Sequence, residues 1–117
     1  MRIQGIYAAI ATKNIAVAEE FYTKLFERGP DDRPIDGLIQ WRDLAGANIQ
    51  IFRNEKNAGA SMATLVVPNM HEARAFLHAA GLALFGEREG DFGKIAKIND
   101  PDGNEITLAE SPKRASD

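Results

Sequence analysis

The sequence predicts an α+β fold built from paired βαβββ modules, each a curved mixed sheet with one helix on its back, together enclosing a trough for a ligand. Three observations carry this prediction. Short apolar runs alternate with two amphipathic helical segments, each helix follows a strand and an asparagine cap, and the element order repeats at an offset of 55 residues. At that offset Ala8 falls on Ala63, Asn14 on Asn69, Ala18 on Ala73 and Phe21 on Phe76, with Ile10 opposite Leu65. Strand, cap and helix stripe coincide, so duplication of one unit explains the pattern.

Residues 3–12 (IQGIYAAIAT) are apolar, partly β-branched and short for a helix, so they read as a buried strand. Asn14 caps the first helix through its side-chain oxygen, and Val17, Phe21 and Leu25 fall on one face. The helix ends before Gly29-Pro30, and 29–36 reads as a polar loop. Residues 37–44 and 47–53 flank Ala45-Gly46, which predicts a hairpin with those two residues as its loop. Trp41 then faces Gln50. Leu38, Leu44, Ile49 and Ile51 share the face suited to packing under a helix, while Ile39, Trp41, Asp43, Asn48, Gln50 and Phe52 share the other. That second set combines apolar area with a few polar groups, as a half-wet cavity wall requires.

A polar, Gly-containing linker from Arg53 to Ala60 leads to the second module. Residues 62–67 read as a strand, and Asn69 with Glu72 forms a capping box for the second helix. Its expected buried stripe is Ala73, Phe76 and Ala80, and Gly81 is a natural left-handed terminator. Strands follow at 83–87 and 94–99, then the turn Asp100-Pro101-Asp102-Gly103 and a strand at 105–110. Glu87-Arg88-Glu89 reads as solvated loop, and the polar tail from Ser111 as frayed. The chain is thus one domain of two modules, about 3–56 and 60–110, followed by the tail at 111–117. One helix covers only one face of each sheet, so two modules side by side would close their concave faces into the trough.

Composition narrows the function. No stretch approaches the roughly 18 apolar residues of a membrane span, and Met1-Arg2-Ile3-Gln4-Gly5 lacks the apolar core of a secretory signal, so a cytoplasmic location is expected. A net charge of −3, with the 14 Lys and Arg spread along the chain, argues against nucleic acid. The absence of cysteine removes disulfides, thiolate catalysis and thiolate-bound zinc.

Phe21-Tyr22 in the first helix, and above all the closing run Asp100-Pro101-Asp102-Gly103-Asn104-Glu105-Ile106-Thr107-Leu108-Ala109-Glu110, resemble the vicinal oxygen chelate superfamily. That superfamily includes glyoxalase I, extradiol dioxygenases, fosfomycin-resistance enzymes and bleomycin-resistance binding proteins. The resemblance spans about Ile3 to Glu110 and implies the glyoxalase/bleomycin-resistance fold, a homodimer and a small-molecule ligand. Metal-dependent members carry His or Gln, Glu, His and Glu at four trough-facing stations. By the resemblance those stations fall here on Tyr7, Gln50, Met62 and Thr107. A phenol, an amide, a thioether and a hydroxyl suit a divalent ion poorly, because such ions want imidazole or carboxylate oxygen. Slips of two residues bring in Glu105 as the one carboxylate, so no metal and no cofactor is expected. His71 and His78 share a face of the outer helix and read as solvated.

The expected ligand-binding residues are Tyr7, Trp41, Asn48, Gln50, Phe52, Met62 and Thr107, with no catalytic residue assigned. Tyr7 is a cavity hydroxyl or a core aromatic, Trp41 a stacking platform or a packing residue, and Met62 a pocket wall or plain core. The leading function is a metal-free binder of a small, partly aromatic organic molecule, acting by sequestration as the bleomycin-resistance members do. One alternative is an enzyme, either metal-dependent on a different alignment or metal-free with Tyr7 as acid beside Glu105 or Asp43. The other is a structural module whose trough is filled by Trp41, Phe52 and Tyr7.

Overall fold

The computed structural model describes residues 1–90 and 93–111, so the expected frayed tail beyond Ser111 lies outside the described residues. The chain divides into two compact units. The first takes Met1–Ser61 with Asp100–Asn104, and the second takes Met62–Asn99 and the stretch from Glu105. In the first unit lie β1 (Tyr7–Thr12), α1 (Ile15–Phe26), β2 (Asp32–Ile35), β3 (Leu38–Leu44) and β4 (Ala47–Arg53). Its sheet runs β1-β4-β3-β2, with β1 parallel to β4 and the other pairs antiparallel. The second holds β5 (Met62–Val67), α2 (Met70–Ala79), β6 (Phe85–Glu89), β7 (Lys94–Asn99) and β8 (Glu105–Glu110), in the order β5-β8-β7-β6. β1 and β5 begin and end 55 residues apart, and so do the starts of α1 and α2. The repeat in the sequence is the repeat of the fold. Among the described residues no helix is long and apolar enough to cross a membrane.

Both caps form as read: Asn14 accepts from the Val17 N–H at 3.2 Å, and Asn69 from the Glu72 N–H at 2.9 Å. The buried stripes are shifted. In α1 it is Ala18, Phe21, Tyr22 and Leu25 that are buried, while Val17 is 46% exposed, because i, i+4, i+8 spacing drifts off a face of period 3.6. In α2 the buried residues are Met70 and Leu77, and Phe76 is largely outside the core. Gly81 follows that helix with φ +79°, the left-handed conformation that glycine adopts without steric cost.

Two segments read as loop are edge strands, and two strands begin later than expected. β2 crosses the expected loop at 29–36, and Pro34 fits there because an edge strand leaves one side unpaired. The charge run Glu87-Arg88-Glu89 lies in β6, exposed at the other sheet's edge, where charges discourage further pairing. β6 itself covers Phe85–Glu89 rather than 83–87, and β1 starts at Tyr7 rather than Ile3.

The β3–β4 hairpin corrects the expected faces. Ala45 and Gly46 both have positive φ, 50° and 88°, and Leu44 pairs with Ala47 as expected. A bulge then intervenes. Asp43 sits at φ 55°, a conformation Asp tolerates better than most residues, and Trp41 pairs with Ile49 instead of Gln50. One extra residue in β3 turns the rest of that strand over relative to β4. Ile39 and Trp41 therefore lie beside Ile51 and Ile49 under α1, and Leu38 and Gln40 move to the opposite face. Trp41 is fully buried: its indole N–H donates to the Arg28 carbonyl at 2.9 Å, and its ring meets Phe26 edge-on at 5.4 Å.

The turn Asp100–Asn104 belongs to the first unit and carries its densest polar network. Asp100, 5% exposed, accepts at Oδ1 from the backbone N–H groups of Asp102 and Asn104. Its Oδ2 accepts from the Tyr22 hydroxyl at 2.6 Å and from Asn104 Nδ2 at 2.8 Å. Asn104 also donates to the Ala11 carbonyl, and its Oδ1 accepts from the N–H groups of Gly59 and Ser61, both at 2.9 Å. Asp102 receives the Thr12 hydroxyl and the Lys13 N–H. Burial, reinforced by the hydrogen bond to Asp100, holds the Tyr22 phenol well above its usual range and therefore neutral. The two motif pieces, Phe21-Tyr22 and the closing turn, thus meet in one buried cluster.

Candidate functional site

With α1 on one side of the first sheet, the register fixes what stands on the other. Across β1, β4 and β3 the rows are Tyr7–Asn48, then Ala9–Gln50–Gln40, then Ala11–Phe52–Leu38. This face is apolar at Phe52, Leu38 and the two alanines, and polar at one phenol and three carboxamides. The same register places Asp32 opposite Gln40, and its carboxylate pairs with Arg42, so the face also carries one ion pair. Tyr7, Leu38, Gln40, Asn48, Gln50 and Phe52 are all half-buried.

The three amides are not equivalent. Asn48 accepts at Oδ1 from the Asp43 N–H and donates from Nδ2 to the Ile6 carbonyl, both at 3.0 Å. It ties the β3 bulge to the approach to β1, so both ends of its amide are committed to backbone. Gln40 and Gln50 stand directly opposite each other and make no side-chain hydrogen bond to the described residues.

On the second sheet the face opposite α2 shows the rows Met62–Glu105–Asn99 and Thr64–Thr107–Lys97. Met62 is 77% exposed there, and Val66 and Phe85 are exposed as well. Glu105 and Lys97 form an ion pair at 3.0 Å. Gln50 faces Ala9 and Thr107 faces Thr64, and Ala9 and Thr64 are related by the 55-residue offset. Gln50 and Thr107 are therefore equivalent stations in the two units, as Tyr7 and Met62 are.

Of the residues expected in the site, Tyr7, Asn48, Gln50 and Phe52 stand on the open face of the first unit. Met62 and Thr107 stand on that of the second. Trp41 lies on the helix side and leaves the set. Asp43, expected on the same face, is the bulge residue with its N–H bonded to Asn48. Leu38 and Gln40 were missed because the bulge reverses their facing; an Asp just before a two-residue turn is the sequence signal for it.

The four positions to which the resemblance assigns metal ligands do not suit a divalent ion. The first unit supplies a phenol and an amide, the second a thioether and a hydroxyl, with no carboxylate or imidazole at any station. Glu105, the carboxylate nearest in sequence, is held by Lys97. His71 and His78 are exposed on α2. His78 borders a cavity of about 310 Å³ with Leu82 and Leu84, where Arg74 is paired to Glu87. A cavity of about 260 Å³ is lined by Ile15, Ile35, Leu38 and Ile39, among others.

No family model and no curated protein matches the sequence. Solved structures match in fold. A glyoxalase/bleomycin resistance protein from Catenulispora acidiphila superposes with a TM-score of 0.81 at 24% identity, covering 92% of this chain and 98% of that one. A bleomycin-binding protein complexed with bleomycin gives 0.71 at 15%, covering 94% and 99%. A lactoylglutathione lyase from Agrobacterium tumefaciens gives 0.73 at 14%, covering 93% and 95%. The chain has the glyoxalase/bleomycin-resistance fold.

Proposed function

We propose that this chain, folded as the glyoxalase/bleomycin resistance proteins are, is a metal-free binder of a small, partly aromatic organic molecule. The observation that carries the reading is the open face of the first unit: half-buried, and mixing the ring of Phe52 with the hydroxyl of Tyr7 and unbonded carboxamides. Small-molecule sites are mostly apolar with a few placed polar groups, and this face has that composition. A similar fold binds bleomycin in a solved complex, which supports an organic ligand of that kind.

A wall alone covers one side of a guest, whereas ligand sites enclose about 70–90% of a ligand's surface. A homodimer in which a second copy supplies further cover is part of the proposal, as is a cytoplasmic location. Met62 and Thr107 are proposed ligand contacts on the second unit's own open face. The structural-module alternative needs Trp41 stacked with Phe52 and Tyr7, yet Trp41 lies on the opposite side of their sheet. The metal-free enzyme alternative needs Glu105 or Asp43 beside Tyr7; Glu105 is engaged with Lys97, and Asp43 is the exposed bulge residue.

The test uses protein stripped with EDTA and titrated with metal-free bleomycin, followed by NMR of side-chain resonances. Tyr7, Leu38 and Phe52 are expected to shift while Trp41 stays fixed, and Phe52→Ala is expected to weaken binding about tenfold. Failure of bleomycin and of other aromatic antibiotics to move any resonance of the face, in a folded dimer, would count against the reading.

A further inference from the structure

The carboxamides of Gln40 and Gln50 are the part of the open face that folding does not use. The bulge at Asp43 is what brings them opposite each other, with Cβ atoms about 4.5–5.5 Å apart as in any directly paired strand position. Each is half-buried, and neither has a hydrogen-bond partner among the described residues. Asn48, on the same face, has both ends of its amide bonded to backbone. Both amides therefore keep their donors and acceptor available to a ligand. Their polar atoms reach the surface: among the described residues the fully buried side-chain atom without a partner is Asp32 Oδ1, and neither glutamine contributes one.

A carboxamide carries donors and an acceptor together. Two of them side by side match a planar edge that also carries both, such as an amide, a lactam or a nucleobase-like ring. A carboxylate offers acceptors only and would leave the amide oxygens facing its charge; an ammonium offers donors only. The charges that flank the pair, Asp32 opposite Gln40 and Arg42 two residues along β3, are bonded to each other, so a charged ligand group would meet no unpaired counter-charge, and an unpaired charge removed from water is costly. Arg53, at the end of β4, lies in the register of the helix-side face opposite Thr12 and pairs with Asp36.

We infer that Gln40 and Gln50 form a carboxamide clamp that selects a neutral ligand with a planar donor–acceptor edge, its apolar part resting on Phe52 and Leu38. This rests on the binding role proposed above and specifies the chemistry of the ligand. The experiment follows the side-chain NH₂ resonances of both glutamines in the full-length ¹⁵N-labelled chain during titration with benzamide, benzoate and benzylammonium, three probes of one shape and different charge. Benzamide is expected to shift both NH₂ pairs and to bind at least about tenfold more tightly than either charged probe. Gln40→Leu and Gln50→Leu, folded as judged by unchanged Trp41 emission, are expected to lose that preference. A charged probe binding as tightly as benzamide overturns the clamp, as does benzamide moving Tyr7 and Phe52 while both amides stay still. In those two outcomes the face still binds small molecules; if no probe moves any resonance of the face, the binding role fails and the clamp with it.

Discussion

Asn104→Ala is expected to lower the unfolding free energy by about 3–5 kcal/mol, measurable as a reduced midpoint in urea with little change in slope. The side chain is fully buried and makes four hydrogen bonds: two from the N–H groups of Gly59 and Ser61, one to the Ala11 carbonyl and one to Asp100. Truncation leaves three backbone groups and part of a carboxylate without partners, and each buried unsatisfied group costs about 1–3 kcal/mol before relaxation. Asn104→Asp tests the same geometry differently. It keeps an acceptor for Gly59 and Ser61 but sets a second carboxylate against Asp100, so it too is expected to destabilise. A loss within about 0.5 kcal/mol for Asn104→Ala, the range of an ordinary surface change, would show that the turn is not what holds this corner of the first unit.

Trp41→Ala is expected to cost about 3–5 kcal/mol, the range for truncating a buried large aromatic. The indole fills the space between α1 and the sheet against Tyr22 and Phe26, and its N–H satisfies the Arg28 carbonyl. Trp41→Phe keeps a ring but loses the donor, so it is expected to cost less than the alanine variant. Since the chain has one Trp, intrinsic fluorescence reports this core alone. Emission should be that of a buried indole, unmoved by ligands on the open face and red-shifted only on unfolding. An exposed-type spectrum in the folded protein, or a Trp41→Ala variant as stable as the parent, would place the indole elsewhere.

These two residues show how far the sequence could be read. The hydrogen-bonding potential of Asp100–Asn104 was visible as turn chemistry, but that Asn104 reaches back to Ala11, Gly59 and Ser61 was not, because partners so distant in sequence leave no local pattern. The 55-residue repeat was legible because caps and strands are local features, and both asparagine caps form as read. Periodicity placed the helices but not their stripes: Met70 and Leu77 outcompete Ala73 and Phe76 for the core of the second unit, a packing outcome that spacing alone does not rank. The site was half legible. Tyr7, Gln50 and Phe52 lie on the expected face since β1 and β4 pair without interruption, whereas one bulge residue exchanged Trp41 for Gln40. Strand faces have a period of two, so a single inserted residue is enough to reverse everything beyond it.

Tyr7, Gln50, Met62 and Thr107 carry side chains too soft and too neutral to hold a divalent cation. Calorimetric titration of EDTA-stripped protein with nickel, zinc, manganese and ferrous ions, backed by elemental analysis of the protein as purified, tests this most directly. Heats no larger than those of dilution, and substoichiometric metal, are the predicted result. One-to-one uptake of any of these ions that disappears in Gln50→Ala or Thr107→Ala would contradict it.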